Sequence, residues 1–469
     1  MQSFKKVGSM TTLWQDSFLF QNTHRITDGT LSCSYQELPS LFVELDEQFV
    51  RLGIDPHQTV AYECPNSVTG AVILLYLLAR SRSFVLLPPA QHASKGAGYQ
   101  PSIPAFCHHH LTLQPDRAFS AALQGRPLSA TGELPAGRLY LRTSGSLGTS
   151  KIVVHQQEKL LRNAQNCLQK YQITANDRML IPVPIFHMYG MGAAFLSAAL
   201  AGAAIQIVDK ANILKILTYE KEFQPTLAFL TPDLCEMMLR WKRKNSVYRV
   251  IVTSGQRIQE SLFEQFDARF GSCLVNQYGS TEMGAIAACD WQEPLTARIG
   301  TIGTPMEGVE LRLEGMDSLT QIGELSCRHP YGYLGYVDER GQWLSQADTW
   351  YRTGDLACAV GPDRLKVVGR NQDSFNRRGF LVNLIEVAQE IERLEGVQST
   401  VVLYLERTDR LVACCVATAE ASQIREACFG QLPPYALPDE VVVVESFPLL
   451  PSGKNDRPTM QTRLETAVV

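Results

Sequence analysis

The sequence predicts an α/β fold: a large N-terminal domain of mainly parallel sheets with helical crossovers plus a β-rich subdomain, and a small α+β C-terminal domain. Three observations lead there. Short apolar runs rich in β-branched residues alternate with helical segments up to about residue 279, the pattern of buried parallel strands joined by crossovers. Beyond "AIAACDW" (285–291) the texture changes to short strands bounded by turn residues, a β-rich pattern. The chain has 469 residues, more than a single core usually organises.

The elements follow in order. "VAYECP" (60–65) is a strand, "VTGAVILLYLLARS" its crossover helix and "FVLLPP" the next strand. "RMLIPVP" (178–184) opens a second unit that returns at "AIQIVD". Between Met188 and Val208 there is no charge, a length that could suggest a membrane helix. The Ala/Gly composition, the break at Gly202 and the β-branched run that follows predict a buried helix, a glycine stop and a short strand instead. "TLAFLTP" (226–232), the helix "DLCEMMLRWKRK", "YRVIVTSG" and "SCLVNQYG" (272–279) continue the alternation. Residues 298–369 form the β-rich subdomain, with short strands and turn signals. A last block holds the helix "NLIEVAQEIERL", strands "STVVLYL" and "RLVACCVAT", a helix near 421–430 and "EVVVVESFP". The polar, glycine-flanked join "GRNQDSFNRRGF" (369–380) reads as a hinge. The expected boundaries are therefore 1–370 for the core domain and 371–469 for the small one.

Composition narrows the function. At 45% hydrophobic and 19% charged the chain is globular. A net charge of -4 gives no basic footprint for nucleic acid. The twelve cysteines show no metal or redox spacing, and the sequence shows no secretory signal. Free, mostly buried thiols in a reducing cytoplasm are expected. The run His108–His110 has no further ligand at useful spacing and reads as a loop or strand end.

The most informative stretch is "LYLRTSGSLGTSKIVVHQ" (139–156). It is not a Walker A loop, because Gly145 and Gly148 are too close and no Ser or Thr follows Lys151. It still suits phosphate. Glycines let backbone N–H groups turn toward an anion, Thr143, Ser144, Ser146, Thr149 and Ser150 add hydroxyls, and Lys151 adds a point charge. Taken alone it is equally a polar hairpin turn.

The remaining motifs decide. After "TSGSLGTSK" come "PIFHMYG", "TSGQRI", "NQYGSTEMG", "RIGTIGTP", "GYL", "YRTGD", "GRNQDSFNRRG" and "PSGKNDR". In this order and spacing, from about residue 140 to 460, the chain resembles the adenylate-forming superfamily: acyl- and aryl-CoA ligases, stand-alone adenylation domains and firefly luciferase. Read singly, Tyr278-Gly279-Ser280 is a turn, Glu282 a solvated carboxylate and Lys454 a surface lysine; their joint occurrence in the family order reverses that. The resemblance implies attack of a carboxylate on ATP, giving acyl-AMP and pyrophosphate, then transfer to a thiol. It implies that Thr143, Ser144, Gly145, Ser146, Gly148 and Lys151 cradle the β- and γ-phosphates. Tyr278 would pack on adenine, with Ser254, Gly255 and Gln256 lining the base, in a site that also takes in Gln277, Gly279 and Ser280. Thr281 would donate to the α-phosphate and Glu282 would hold Mg²⁺. Asp355 would accept the ribose hydroxyls, with Arg370 beside it. Lys454 would bridge the substrate carboxylate and the α-phosphate. The small domain, being mobile in this family, would close for adenylation and then rotate about Gln372. Gln372 and Asn376 stand where relatives usually carry charged residues, which leaves the thioester half less defined.

The substrate follows from "PIFHMYG", which resembles the matching stretch of acyl- and aryl-acid ligases. Amino-acid adenylation domains carry an aspartate in that region, and none occurs between Pro184 and Leu200. His187 would gate the acid pocket, with Met188, Tyr189, Gly190, residues 228–230, Gly279 and Met283 as walls. Small residues there favour an aryl or short unsaturated acid; a medium-chain fatty acid, an amino acid and a luciferase-like oxygenation are the alternatives. The first 138 residues carry no clear motif, and a compressed N-terminal part suggests CoA or a phosphopantetheinylated acyl carrier protein as acceptor. No membrane span is expected.

Overall fold

The computed structural model describes residues 22–90, 101–115, 117–130, 134–142, 151–209, 212–241, 247–255, 258, 260–271, 274–316, 322–361, 363–377 except 371–373, 380–448 and 457–466. The apolar runs become two large sheets. One has nine strands, in the spatial order Thr304–Pro305, Gly284–Ala288, Leu274–Ser280, Val250–Thr253, Leu227–Leu230, Arg178–Ile181, Ala204–Ile207, Arg25–Thr27 and Ser32–Ser34. Its centre is parallel: Leu227 faces Met179 and Val250, and Ile251 faces Leu274. The margins are antiparallel, as where Tyr278 faces Ala287 and Ile26 faces Cys33. The other has eight strands: Trp343–Gln346, Gly335–Val337, Ile152–Gln156, Arg138–Arg142, Phe84–Leu87, Val60–Glu63, His109–Leu113 and Leu123–Pro127.

The central strands are apolar on both faces because both faces are covered. On the Val250–Thr253 strand, Val250 and Val252 join one core and Ile251 joins another. The first core draws Tyr62, Phe84 and Leu139 from one sheet and Ile181, Phe229 and Val252 from the other, with helices Val68–Ala79 and Gln157–Lys170 contributing. The Val68–Ala79 helix is buried at every position but its last, so it is apolar all round. It starts where the Ser67 side chain accepts from Gly70 N, a hydroxyl N-cap. Helices Ile213–Glu222, Pro232–Trp241 and Glu260–Phe270 cover the opposite face of the nine-stranded sheet through Ile216, Met238 and Phe263.

The uncharged stretch after Met188 is a helix wound in π fashion over Tyr189–Leu196 and in α fashion over Ser197–Ala201. Gly202 ends it at φ 67°, the left-handed stop expected of glycine, and the strand Ala204–Ile207 follows. No helix among the described residues is long and apolar enough to cross a membrane. Every described cysteine is free, and all but Cys358 are buried. The histidine run enters the His109–Leu113 strand, and His110 Nε2 lies 2.7 Å from Glu63 Oε1.

The strands of residues 298–369 divide among three sheets. Strands Glu310–Glu314, Ile322–Arg328, Tyr351–Ala359 and Leu365–Arg370 make a separate four-stranded sheet. The hairpin at 335–346 instead joins the eight-stranded sheet, with Tyr336 facing Val153, and Thr304–Pro305 joins the nine-stranded one. The local pattern shows strands but not which distant strand each one meets.

The chain separates into two compact units, and the long C-terminal stretch of the second starts at Arg370. There a hairpin pairs Ser374–Arg377 with Phe380–Asn383, and a three-stranded sheet joins Val397–Leu405, Arg410–Ala417 and Glu440–Val443. Helices Leu384–Glu392 and Ala421–Gln431 bury Val387, Ile391, Ile424 and Cys428 against Val402 and Ala413. Helix Arg457–Thr466 covers the other face, where Met460 meets Val401, Leu403, Val412 and Cys414.

Candidate functional site

The site is built around the turn between strands Leu274–Ser280 and Gly284–Ala288. Ser280 Oγ accepts from Met283 N at 3.1 Å and closes the turn over Thr281 and Glu282. The register shifts between Tyr278 and Gly279, a bulge of the kind that re-aims side chains. The segment following Lys151 holds this turn from outside. His155 Nε2 donates to Thr281 O at 2.8 Å, Asn163 Nδ2 donates to Met283 O at 2.8 Å, and Asn163 Oδ1 accepts from Ala285 N at 3.1 Å. His329 Nδ1 accepts from Tyr331 N and its Nε2 lies 3.0 Å from Ala285 O. Burial lowers both histidines to about 4, so they are neutral struts at neutral pH.

Glu282 is 8% exposed. Tyr336 Oη donates to Glu282 Oε1 at 2.9 Å, and the buried Tyr351 hydroxyl lies within reach of the Glu282 charge. The ring of Tyr333 packs edge-on against both, at 5.1 Å from Tyr336 and 5.6 Å from Tyr351, while its N–H donates to Glu282 O at 2.8 Å. Burial first, and then the Glu282 charge, push the Tyr336 and Tyr351 hydroxyls far up, and Tyr333 to about 12. All three stay protonated donors. Lys151 Nζ stands 5.6 Å from the centre of the Tyr336 ring, on its face. Upstream of the loop, Arg142 makes a two-pronged ion pair with Glu339, 2.7 Å at each contact.

A second carboxylate lies nearby in the same unit. Asp355 is buried, and its Oδ2 accepts from Tyr278 Oη at 2.5 Å. Its backbone N–H donates to Thr353 Oγ1 at 3.1 Å, which fixes the "YRTGD" bend. Ser254 is buried and Gly255 takes φ 91°, a conformation open to glycine. Gln277 is turned inward, its Oε1 accepting from Tyr171 Oη at 2.8 Å.

On the acid side, the "PIFH" bend is pinned by Asn66, which accepts from Ile185 N at 3.0 Å and donates to Val208 O at 2.9 Å. The His187 ring leans on Phe186 at 4.5 Å, and burial lowers it to about 4. The Tyr189 hydroxyl reaches Leu230 O at 3.1 Å and Val252 O at 2.9 Å, at the carboxyl ends of two central strands. Met188 and Met283 are buried. The two glycines have a reason other than an open slot. A Cβ on Gly190 would stand 2.1 Å from Pro184 O, and one on Gly279 would stand 2.3 Å from Gly284 O. Backbone fills both places, so neither glycine makes room for a ring.

Thr143 to Ser150, Gln256, Gln372 and Lys454 lie outside the described residues, as do the side chains of Arg370 and Asn376. The structure brings Thr281, Glu282 and Lys151 together with Tyr336, and Tyr278 together with Asp355. A cavity of about 580 Å³, lined by Gln48, His110, Arg117 and Arg126 among others, contains none of the expected site residues. Tyr333, Tyr336, Tyr351, His155, Asn163 and His329 were not singled out by the sequence, although "GYL" and "YRTGD" contain two of the tyrosines.

Polar loops at the carboxyl ends of a parallel sheet, with two tyrosine-held carboxylates and a lysine, define a nucleotide-using α/β enzyme. The AMP-binding enzyme family model matches residues 127–337. An indoleacetate–CoA ligase of Aromatoleum aromaticum is 28% identical over 332 residues, covering 67% of this chain; the chain spans 65% of that relative's length. A 4-hydroxybenzoate–CoA/benzoate–CoA ligase of Rhodopseudomonas palustris is 25% identical over 483 residues, covering 92% of this chain and 89% of that one. The fold matches that of an o-succinylbenzoate CoA synthetase from Bacillus subtilis, with a TM-score of 0.80 at 17% identity over 96% of this chain and 98% of the other. Residues 127–337 thus match the AMP-binding enzyme family, and over most of its length the chain is similar to acyl- and aryl-CoA ligases of the adenylate-forming superfamily.

Proposed function

We propose that the chain is an AMP-forming acid–thiol ligase that activates an aryl or short unsaturated carboxylic acid and passes the acyl group to CoA or to a carrier-bound phosphopantetheine. The observation that carries this reading is the grouping of Glu282 and Lys151 about Tyr336, with Asp355 beside Tyr278, on segments that occur in the family's motif order. Activation brings two anions together, so charge neutralisation and alignment supply most of the rate. Lys151 and the preceding loop would take the β- and γ-phosphates, Thr281 the α-phosphate, and Asp355 the ribose. Lys454 would bridge the carboxylate and the α-phosphate, with Gln372 as the hinge residue of the small domain.

Mg²⁺ takes one or two carboxylates and completes its shell with water and phosphate oxygens. Glu282 fits that use: a buried carboxylate with one phenol donor still has lone pairs to offer. Bound there, the ion would neutralise phosphate charge. Neutral His187 would border the acid without competing for its charge.

The ring-acid preference is supported by the two relatives, which are named for indoleacetate and for 4-hydroxybenzoate and benzoate. It is also supported by the lack of an acidic residue between Pro184 and Leu200 to pair a substrate ammonium. Leaving such an ammonium buried and unpaired costs several kcal/mol. The test is pyrophosphate release over a panel of acids, with and without CoA and a phosphopantetheinylated carrier. Hydroxybenzoate- or cinnamate-type acids should give AMP and pyrophosphate, medium-chain fatty acids less, and common α-amino acids background. Turnover of a free amino acid would overturn the acid class, a palmitate preference the ring class, and ADP release the ligase chemistry.

A further inference from the structure

A lysine that must bind phosphate and a glutamate that must bind a cation are attracted to each other. Opposite charges in contact attract, so such a pair tends to neutralise itself before nucleotide arrives. In this fold an aromatic residue stands between the two. The Tyr336 ring offers its face to Lys151 Nζ at 5.6 Å, within range for attraction between a cation and a ring. Its hydroxyl donates to Glu282 Oε1 at 2.9 Å. Tyr351 is buried within reach of the Glu282 charge, and the Tyr333 ring packs edge-on against both Tyr336 and Tyr351. Pairing of Gly335–Val337 with Ile152–Gln156 sets Tyr336 opposite Val153, two residues past Lys151, so the spacer is fixed by sheet register.

We infer that Tyr336 is a positioning residue that keeps Lys151 and Glu282 apart, so that each remains available to the phosphates and to the metal. This rests on the reading of Glu282 as the Mg²⁺ carboxylate and Lys151 as a phosphate ligand. The Tyr336 phenol occupies one of the carboxylate's roughly four acceptor positions and leaves the others for the ion.

The test is ATP binding to the full chain by titration calorimetry, once in Mg²⁺ and once in EDTA, for wild type, Tyr336→Phe, Tyr351→Phe, Tyr336→Leu and Glu282→Gln. Tyr336→Phe keeps the ring and loses the hydroxyl. It should bind ATP in EDTA like wild type and lose about ten-fold of the Mg²⁺-dependent tightening, the scale for a residue orienting a metal ligand. Tyr351→Phe should do the same, which covers the case in which one variant does not fold. Tyr336→Leu removes the ring and should weaken ATP in both buffers. If Glu282→Gln keeps the full Mg²⁺ effect, the underlying metal reading fails. If Glu282→Gln loses it while both phenylalanine variants keep it, or lose only thermal stability, the inference about Tyr336 is overturned.

Discussion

The hydrogen bond between Tyr278 and Asp355 joins the two residues expected to meet the nucleoside. On the proposed reading, replacing Asp355 with Ala would remove a contact used in every nucleotide state, so ATP and acyl-AMP should weaken alike. We expect the KM for ATP to rise about ten-fold with a smaller change in kcat, the signature of uniform binding; an unchanged KM in a folded protein would contradict the assignment. Lys454 is assigned by its motif alone. Lys454→Ala should slow acyl-adenylate formation by about 100-fold, the scale for one transition-state charge contact, and slow thiol transfer from supplied acyl-AMP much less. Equal losses in the two half-reactions, read by pyrophosphate exchange and thioester formation, would remove that role. Residue types and their order single out Glu282, Asp355 and Lys454 as candidates, because a carboxylate or lysine states its chemistry wherever it stands. Their partners were not legible. Tyr336 meets Glu282 across 54 positions of sequence, and His155 meets Thr281 across 126; no local pattern records which acid or carbonyl a tyrosine or histidine will reach.

Among elements, the hairpin 274–288 shows how much the site depends on backbone packing. At Gly279 the facing strand lies so near that a Cβ would sit 2.3 Å from Gly284 O. Gly279→Ala should therefore destabilise the fold by about 1–3 kcal/mol or more, as overpacking does, with no selective loss of ring acids over acetate-sized ones. A melting curve matching wild type would refute this. The hairpin's struts also carry a pH dependence. Burial lowers His155 and His329 from 6.5 to about 4, with the Thr281 carbonyl opposing the shift at His155 and the Lys159 charge reinforcing it at both. The unfolded chain takes up these protons near pH 6.5 and the folded chain near 4, so the unfolded state binds more protons between. Stability should be full above about pH 6.5, fall as the pH drops toward 4, and level off below; the two histidines contribute on the order of 3 kcal/mol each. Urea midpoints at pH 7 and pH 4.5 measure the slope, and His155→Gln should flatten it. An equal slope in the variant would exclude His155 as a source. The buried strands and the helix ending at Gly202 were readable because β-branched runs and glycine stops are local signals. Strands His109–Leu113 and Leu123–Pro127 are half polar and were not read, and the hairpin at 335–346 was not read either.

For the whole molecule, each unit has its own apolar core, and that of the C-terminal stretch covers both faces of its sheet. A stretch of this size with its own core can fold alone. Residues 370–469 expressed separately should give a cooperative thermal transition by circular dichroism, and a featureless melt would show that the core is insufficient. The division into a large and a small domain was legible from the change in texture and the polar join, since both are compositional. The last helix has a consequence for handling the protein. Val397–Leu405 is an edge strand rich in β-branched residues, and Arg457–Thr466 is what shields its outer face. A chain cut after residue 456 would keep Lys454 yet present Val401, Leu403 and Leu405 to water on an unpaired edge. That is a template for strand-by-strand self-association, so the shortened enzyme would be lost to fibrillar precipitate before its chemistry could be assayed.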